Sequence, residues 1–207
     1  SDSDEDAAYE EVNQDSPVVD MEDNLTYHED TLSIFKCTVD TPLGNGLQLW
    51  VTTDSGSMCC LMHSAMAKKL KLTAIPLSKG RRYQISGPGG GAEEVTHEVQ
   101  LRVAVNMRHA PTNDTEIPID EMGQNQIKYI DLSFGLIDAL PVPILWGGKH
   151  MRAYDLLDLH RRKLLSFKLD NERWMTPSIS WLQASAEMRE CEDVRLASAL
   201  RLFAPSR

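Results

Sequence analysis

The stretch that decides the fold is Leu47-Gln48-Leu49-Trp50-Val51-Thr52-Thr53-Asp54-Ser55-Gly56-Ser57. Seven residues rich in β-branched and aromatic side chains read as a strand. They run directly into an acidic loop, which places a carboxylate at a strand's end. Upstream, Leu32, Ile34 and the segment from Cys37 to Val39 form a strand-like arm. Pro42-Leu43-Gly44-Asn45-Gly46 follows, with the Gly and Asn residues that supply positive φ in hairpin turns. The two arms are expected to pair as a hairpin that delivers Asp54.

Downstream, Ser64 to Leu72 suits a short amphipathic helix. Arg82 to Ile85 and Glu94 to Val105 read as the arms of a second hairpin, tipped by Ser86-Gly87-Pro88-Gly89-Gly90-Gly91 and mobile there. Residues 106–126 are polar and proline-bearing, so a long surface connection is expected, with Ile117 and Ile119 in a short strand. Ile127 to Leu132 and Leu140 to Trp146 are apolar strands. The second ends in Gly147-Gly148 and is followed by helical spacing over His150 to His160. Leu164 to Leu169 reads as a strand, Trp174 to Trp181 is broken by Pro177, and residues 182–203 read as an amphipathic helix.

The chain has 207 residues, 42% hydrophobic and 25% charged, enough for one domain with a sizeable core. Its net charge of −10 is unevenly placed. Residues 1–30 hold 12 Asp or Glu and no Lys or Arg, leaving 19 acidic against 21 basic residues in the remainder. Residues 1–30 are therefore expected to be an acidic disordered tail. The near-neutral remainder does not select a nucleic-acid partner. No apolar run reaches the ~20 residues needed to span a bilayer, and the N-terminus lacks the pattern of a signal peptide. An intracellular, cytoplasmic protein with no membrane partner is expected. Cys37, Cys59, Cys60 and Cys191 form neither a CxxC pair nor a disulfide framework.

Asp-Ser-Gly at a strand's end can divide the work of amide hydrolysis. The carboxylate needs a fixed position, the hydroxyl can lock the loop, and glycine permits close backbone approach. The same letters also make ordinary turns and helix caps. If two copies of Asp54 meet within hydrogen-bonding distance, both cannot ionise comfortably and they share a proton, the division of labour known from aspartic proteases. Only one such motif occurs, so the second carboxylate must come from a second chain, most simply across a two-fold axis.

In order, the hairpin leading into Asp54-Ser55-Gly56-Ser57, the glycine-rich tip after Ile85, and Pro143-Ile144-Leu145-Trp146-Gly147-Gly148 running into Asp155-Leu156-Leu157 resemble a retropepsin-like aspartic protease domain. The resemblance is closest to the BEL/Pao-type retrotransposon proteases and covers residues 32 to about 182. It implies a mostly β, closed-barrel acid protease fold with one short helix after the Gly147 turn, while the C-terminal helix lies beyond the resemblance and is read from its own apolar spacing. The domain would span 31–182, with a helical extension at 183–207. It implies a homodimeric aspartic endopeptidase acting on extended polypeptide without a cofactor. Asp54 would be the catalytic residue, with Ser55, Gly56 and Ser57 supporting its loop. Ile85, Ser86, Gly87, Gly89 and Gly90 would form the substrate-covering flap, and Leu145 and Gly147 the second supporting loop. The alternative is a catalytically inactive, retroelement-derived dimerisation or protein-interaction module. Thr52 and Thr53 before Asp54, Trp146 before Gly147, and Cys59 and Cys60 after the active loop depart from the family's usual pattern, changes that bear on the dimer or the cleft.

Other constellations have plainer readings. Cys59, Cys60 and His63 lack a fourth zinc ligand at recognisable spacing, so no metal is expected. Ser57 and His63 lack the G-x-S-x-G turn of a serine hydrolase. Gly87 to Gly91 is followed by no Gly-Lys-Ser/Thr, which argues against nucleotide binding. Arg161, Arg162 and Lys163 beside His160 read as a solvated turn, without the aromatic platform of an RNA site.

Overall fold

The computed structural model describes residues 32–86, 91–111 and 115–205. The acidic segment 1–30 and the flap-tip residues Gly87, Gly89 and Gly90 lie outside them. Strand β1 (Ser33–Thr41) and strand β2 (Gly44–Thr53) pair antiparallel, from Ser33 opposite Thr53 to Thr41 opposite Gly44. Phe35, Cys37 and Val39 point inward while Lys36, Thr38 and Asp40 stay exposed, the period-2 pattern of a strand covering a core. Gly46 closes the turn at φ +63° and donates its amide to Asp40 Oδ1.

After the Asp54 loop come β3 (Leu61–His63) and helix α1 (Ser64–Lys69), whose first turn is capped by the His63 ring. A short β4 (Ile75–Pro76) precedes the second hairpin. Its first arm is β5 (Tyr83–Ser86). Its second arm is not the continuous strand expected from residue 94 onward. It splits at Thr96 into β6 (Ala92–Val95), paired with β5, and β7 (His97–Ala110), paired with the barrel.

Strand β8 (Asn125–Ile137) pairs with β7 over eleven positions, from Glu98 opposite Gly135 to Arg108 opposite Asn125. The expected long connection is accordingly shorter at both ends. Ile117 is buried, not part of a strand, and Ile119 lies in a 3-10 turn. Strand β9 (Ile144–Trp146) lies parallel to β2 and antiparallel to β3. Pairing of β1 with β7 at Thr38 and Val39 then closes the six strands β1-β2-β9-β3-β8-β7 into a barrel with no free edge within the ring. The chain is mostly β with a closed barrel, as the resemblance implies.

Helix α2 (Gly148–Ala153) follows the Gly147 turn. It ends well before His160: Asp155 adopts φ +42°, and Leu157–Leu159 becomes strand β10, paired with β11 (Leu164–Leu169). Strand β12 (Glu172–Pro177) joins β11 to β7. The C-terminal segment forms two helices, α3 (Trp181–Arg189) and α4 (Ala197–Leu200). Ala184, Met188, Leu196 and Leu200 join the same buried cluster as Phe35, Leu49 and Val103 of the barrel. These helices pack onto the core.

Candidate active site

Asp54 is delivered by the pairing of two strands. Thr52 and Thr53 of β2 lie beside Leu145 and Trp146 of β9, and the ladder continues one bond further, the Asp54 amide donating to the Trp146 carbonyl at 3.0 Å. Thr52 and Thr53 are buried, and the Thr53 hydroxyl donates to the Ser33 carbonyl at 2.6 Å. The Thr53 hydroxyl is thereby satisfied without solvent. Beyond Asp54 the loop turns on its own side chain: the Gly56 amide donates to Asp54 Oδ1 at 2.9 Å and the Ser57 amide to the Asp54 carbonyl at 3.1 Å.

Asp54 is only 7% exposed, and its second oxygen, Oδ2, is buried with no hydrogen-bond partner among the described residues. An ionised carboxylate oxygen left this way is costly, so the group calls for a donor, a proton or a second polar group. Ser55, Gly56 and Met58 beside it are exposed. Ser57 is buried, and its hydroxyl is bound within the loop, donating to the Cys59 carbonyl and accepting from the Cys59 amide.

The second loop locks onto the first. Gly148 donates its amide to the Ser57 carbonyl at 2.6 Å, and the Gly147 amide points at Cys60 Sγ across 3.4 Å. A Cβ on Gly147 would fall 2.1 Å from the Cys59 carbonyl oxygen and 2.8 Å from that of Ser57, so no side chain fits. Residues of β9 alternate in the period of a strand. Leu145 packs with Leu61, Ile85 and Val95 beneath the second hairpin, while Ile144 and Trp146 enter the main core. Trp146 does not reach the cleft. Its ring stacks on Phe167 at 5.3 Å and meets Phe35 at 5.2 Å, fully buried.

The thiols near the loop are quiet. Burial raises Cys59 to about 11, and burial also pushes Cys60 up. His63 is engaged with the Ala65 amide and with Phe203, away from a common centre with the cysteines. Among the described residues no group of three or more His, Cys, Asp or Glu side chains is arranged to hold a metal ion. No helix among them is long and apolar enough to cross a membrane.

The second hairpin rests on the barrel at its base. Ile85 is buried and Ser86 half-buried. Tyr83 fits over Gly135 of β8, where an added Cβ would come within 2.3 Å of its hydroxyl. Two further residues hold the site and carried no local sequence signal. Glu93 of β6 accepts the amides of Asp138 and Ala139 at 2.6 and 2.9 Å, tethering the hairpin to the turn after β8. His150 of α2 sits between Trp146 and Phe134, with Nε2 at 2.7 Å from the Ser133 carbonyl, the shorter of its two contacts with Ser133. Arg162, expected in a solvated turn, instead donates to the Thr115 and Ile117 carbonyls at 2.5 Å and pins the connection between β7 and β8.

No protein-family model matches the chain, and no curated protein matches it significantly. Among solved structures it is similar to the retroviral protease-like domain of Ddi1 from Leishmania major. That match has 13% identity and a TM-score of 0.43, and covers 73% of this chain and 94% of that one.

Proposed function

We propose that the chain is an aspartic endopeptidase of retroelement type, BEL/Pao-like in ancestry, that works as a homodimer on extended polypeptide. The observation that carries this reading is the Asp54 carboxylate. It is fixed at a strand end, with one oxygen held by the Gly56 amide and the other buried without a donor. A second chain approaching over the exposed Ser55 and Gly56 would bring its own Asp54 to the first. The pair would hold one proton between them. The ionised carboxylate takes a proton from water as the water oxygen adds to the peptide carbonyl, and the protonated one donates to the carbonyl oxygen. Collapse then breaks the C–N bond, with a proton passing to the leaving nitrogen. Backbone groups of the hairpin from Ile85 through Gly87, Gly89 and Gly90 would pair with the substrate as an added strand and exclude water. Ser55 would brace the paired loops, while Leu145 and Gly147 support them from behind.

Cleavage of a peptide library at mildly acidic and neutral pH, comparing the wild type with Asp54→Asn, tests the reading. Cleavage is expected from the wild type and absent from the variant. Equal cleavage by both would remove Asp54 from the chemistry. A wild-type chain that is demonstrably dimeric yet cleaves nothing would make this a silent dimerisation module.

A further inference from the structure

A cavity of about 350 Å³ opens beside the Asp54 loop, between the segment leaving that loop and the base of the second hairpin. Asp54 does not line it. Its apolar wall is made by Met58, Leu77 and Tyr83, so it can receive the methylenes of a side chain. Its size lies near the lower end of ~300–1,000 Å³ typical of small-ligand pockets, room for one long side chain with water. Its charged groups are unequal in availability. Glu98 is mostly buried and its charge is opposed by Arg81, 3.6 Å away in the same lining. Lys149, from the first turn of α2, also lines the cavity, is exposed, and has no carboxylate partner among the described residues. The net field is that of one uncommitted ammonium above an apolar wall.

We propose that this cavity is a specificity pocket that selects an acidic substrate side chain, glutamate above all, with Lys149 the residue that selects it. The inference rests on the peptidase reading and adds to it the class of residue recognised next to the scissile bond. The stem of the glutamate lies along Met58 and Tyr83, and its carboxylate meets Lys149. Lysine and arginine are disfavoured by the same ammonium, so selection works by repulsion as well as attraction. Tyr83 in the same wall carries a phenol hydroxyl, a neutral group able to donate a hydrogen bond.

Two measurements keep this separate from the catalytic reading. Cleavage-site mapping with a randomised peptide library is made on wild type, Lys149→Met and Lys149→Glu. Glutamate is expected to be enriched over lysine roughly two- to fivefold at one position near the cut, the scale of an exposed ion pair. The preference should flatten in Lys149→Met and reverse toward lysine in Lys149→Glu. Charge-indifferent cleavage at every position, unchanged in both variants, would overturn the pocket and leave Asp54 in place. In parallel, fluorescence anisotropy follows fluorescein-labelled random-sequence peptides bearing Glu, Gln or Lys at fixed positions, binding to the Asp54→Asn chain with and without Lys149→Glu. Charge-selective binding that reverses with Lys149→Glu supports the pocket even if no wild-type cleavage is seen, which would sink only the hydrolytic reading. Binding that ignores peptide charge, or no binding at all, counts against the pocket. Since Lys149 is exposed, thermal melts of its variants should match the wild type.

Discussion

The amide of Asp54 donates to the carbonyl of Trp146 at 3.0 Å, tying the candidate catalytic residue to the strand whose indole sits in the centre of the core. The position of the carboxylate is therefore set from behind, by backbone pairing of β2 with β9. The packing that fixes β9 is aromatic: Trp146 against Phe35 and Phe167, with Phe35 and Phe167 themselves edge to face at 5.5 Å. Loop geometry and core stability are coupled through one residue.

Trp146→Ala is accordingly expected to destabilise the chain by about 3–5 kcal/mol, the usual cost of emptying a large aromatic site. The indole N–H of Trp146 is buried with no partner among the described residues, so its removal carries no lost bond. Trp146→Phe should then cost less than about 2 kcal/mol, because it trims volume while removing that orphan donor. Urea denaturation of both variants checks the ranking. A Phe variant as damaged as the Ala one would mean the indole has a partner or a packing role beyond these contacts.

Gly147→Ala would drive a methyl into the Cys59 and Ser57 carbonyl oxygens, at 2.1 and 2.8 Å. Both atoms are backbone of the Asp54 loop and cannot rotate away. The expected cost is at or above the upper end of the ~1–3 kcal/mol seen for overpacking. Peptide cleavage should fall more than Asp54-independent properties such as helix content. A variant with wild-type melting and wild-type cleavage would show that the two loops do not lock in the way described.

The site was legible where its cause is local, and obscure where it is not. Strand followed by Asp54-Ser55-Gly56 is a contiguous pattern, and the β1–β2 hairpin carries its own turn residues, so both could be read directly. The helix expected over His150 to His160 failed beyond Ala153 because Met151, Tyr154 and Leu157 have helical spacing while pairing of Leu157 with Ser166 and Leu159 with Leu164 takes the segment into the sheet. The connection expected to start at residue 106 failed in the same way: β7 continues to Ala110 because β12 pairs with it, Trp174 opposite His109. Glu93 was invisible because its partners, Asp138 and Ala139, lie some 45 residues away and offer only amides. No spacing rule reports such a bond.

Glu93→Ala should release the second hairpin without unfolding the barrel. The two amides lost from the carboxylate lie at the surface, so the global cost is modest, about 1–2 kcal/mol after solvent replaces the bonds. Hydrogen exchange is expected to speed up at Asp138, Ala139 and the β5–β6 strands, with protection in β7 and β8 unchanged. Uniform loss of protection would show that the hairpin is not an independent unit.

His150 gives the fold a defined response to acid. Burial lowers its pKa below the ordinary imidazole value, with the Lys149 charge acting in the same direction against the opposing bond to Ser133. The unfolded chain therefore binds a proton at a pH where the folded chain does not, and stability rises with pH across that window. The contribution of neutral His150 is complete above the unfolded value of about 6.5. It is lost progressively as pH falls from there through the lower folded value. His150→Gln cannot take up that proton, so the loss of stability between neutral and mildly acidic pH should be smaller in the variant than in the wild type. Denaturation midpoints compared at matched pH check this, since carboxylate contributions are common to both chains and drop out of the difference. Equal pH slopes would show that His150 takes up its proton as readily in the fold as outside it.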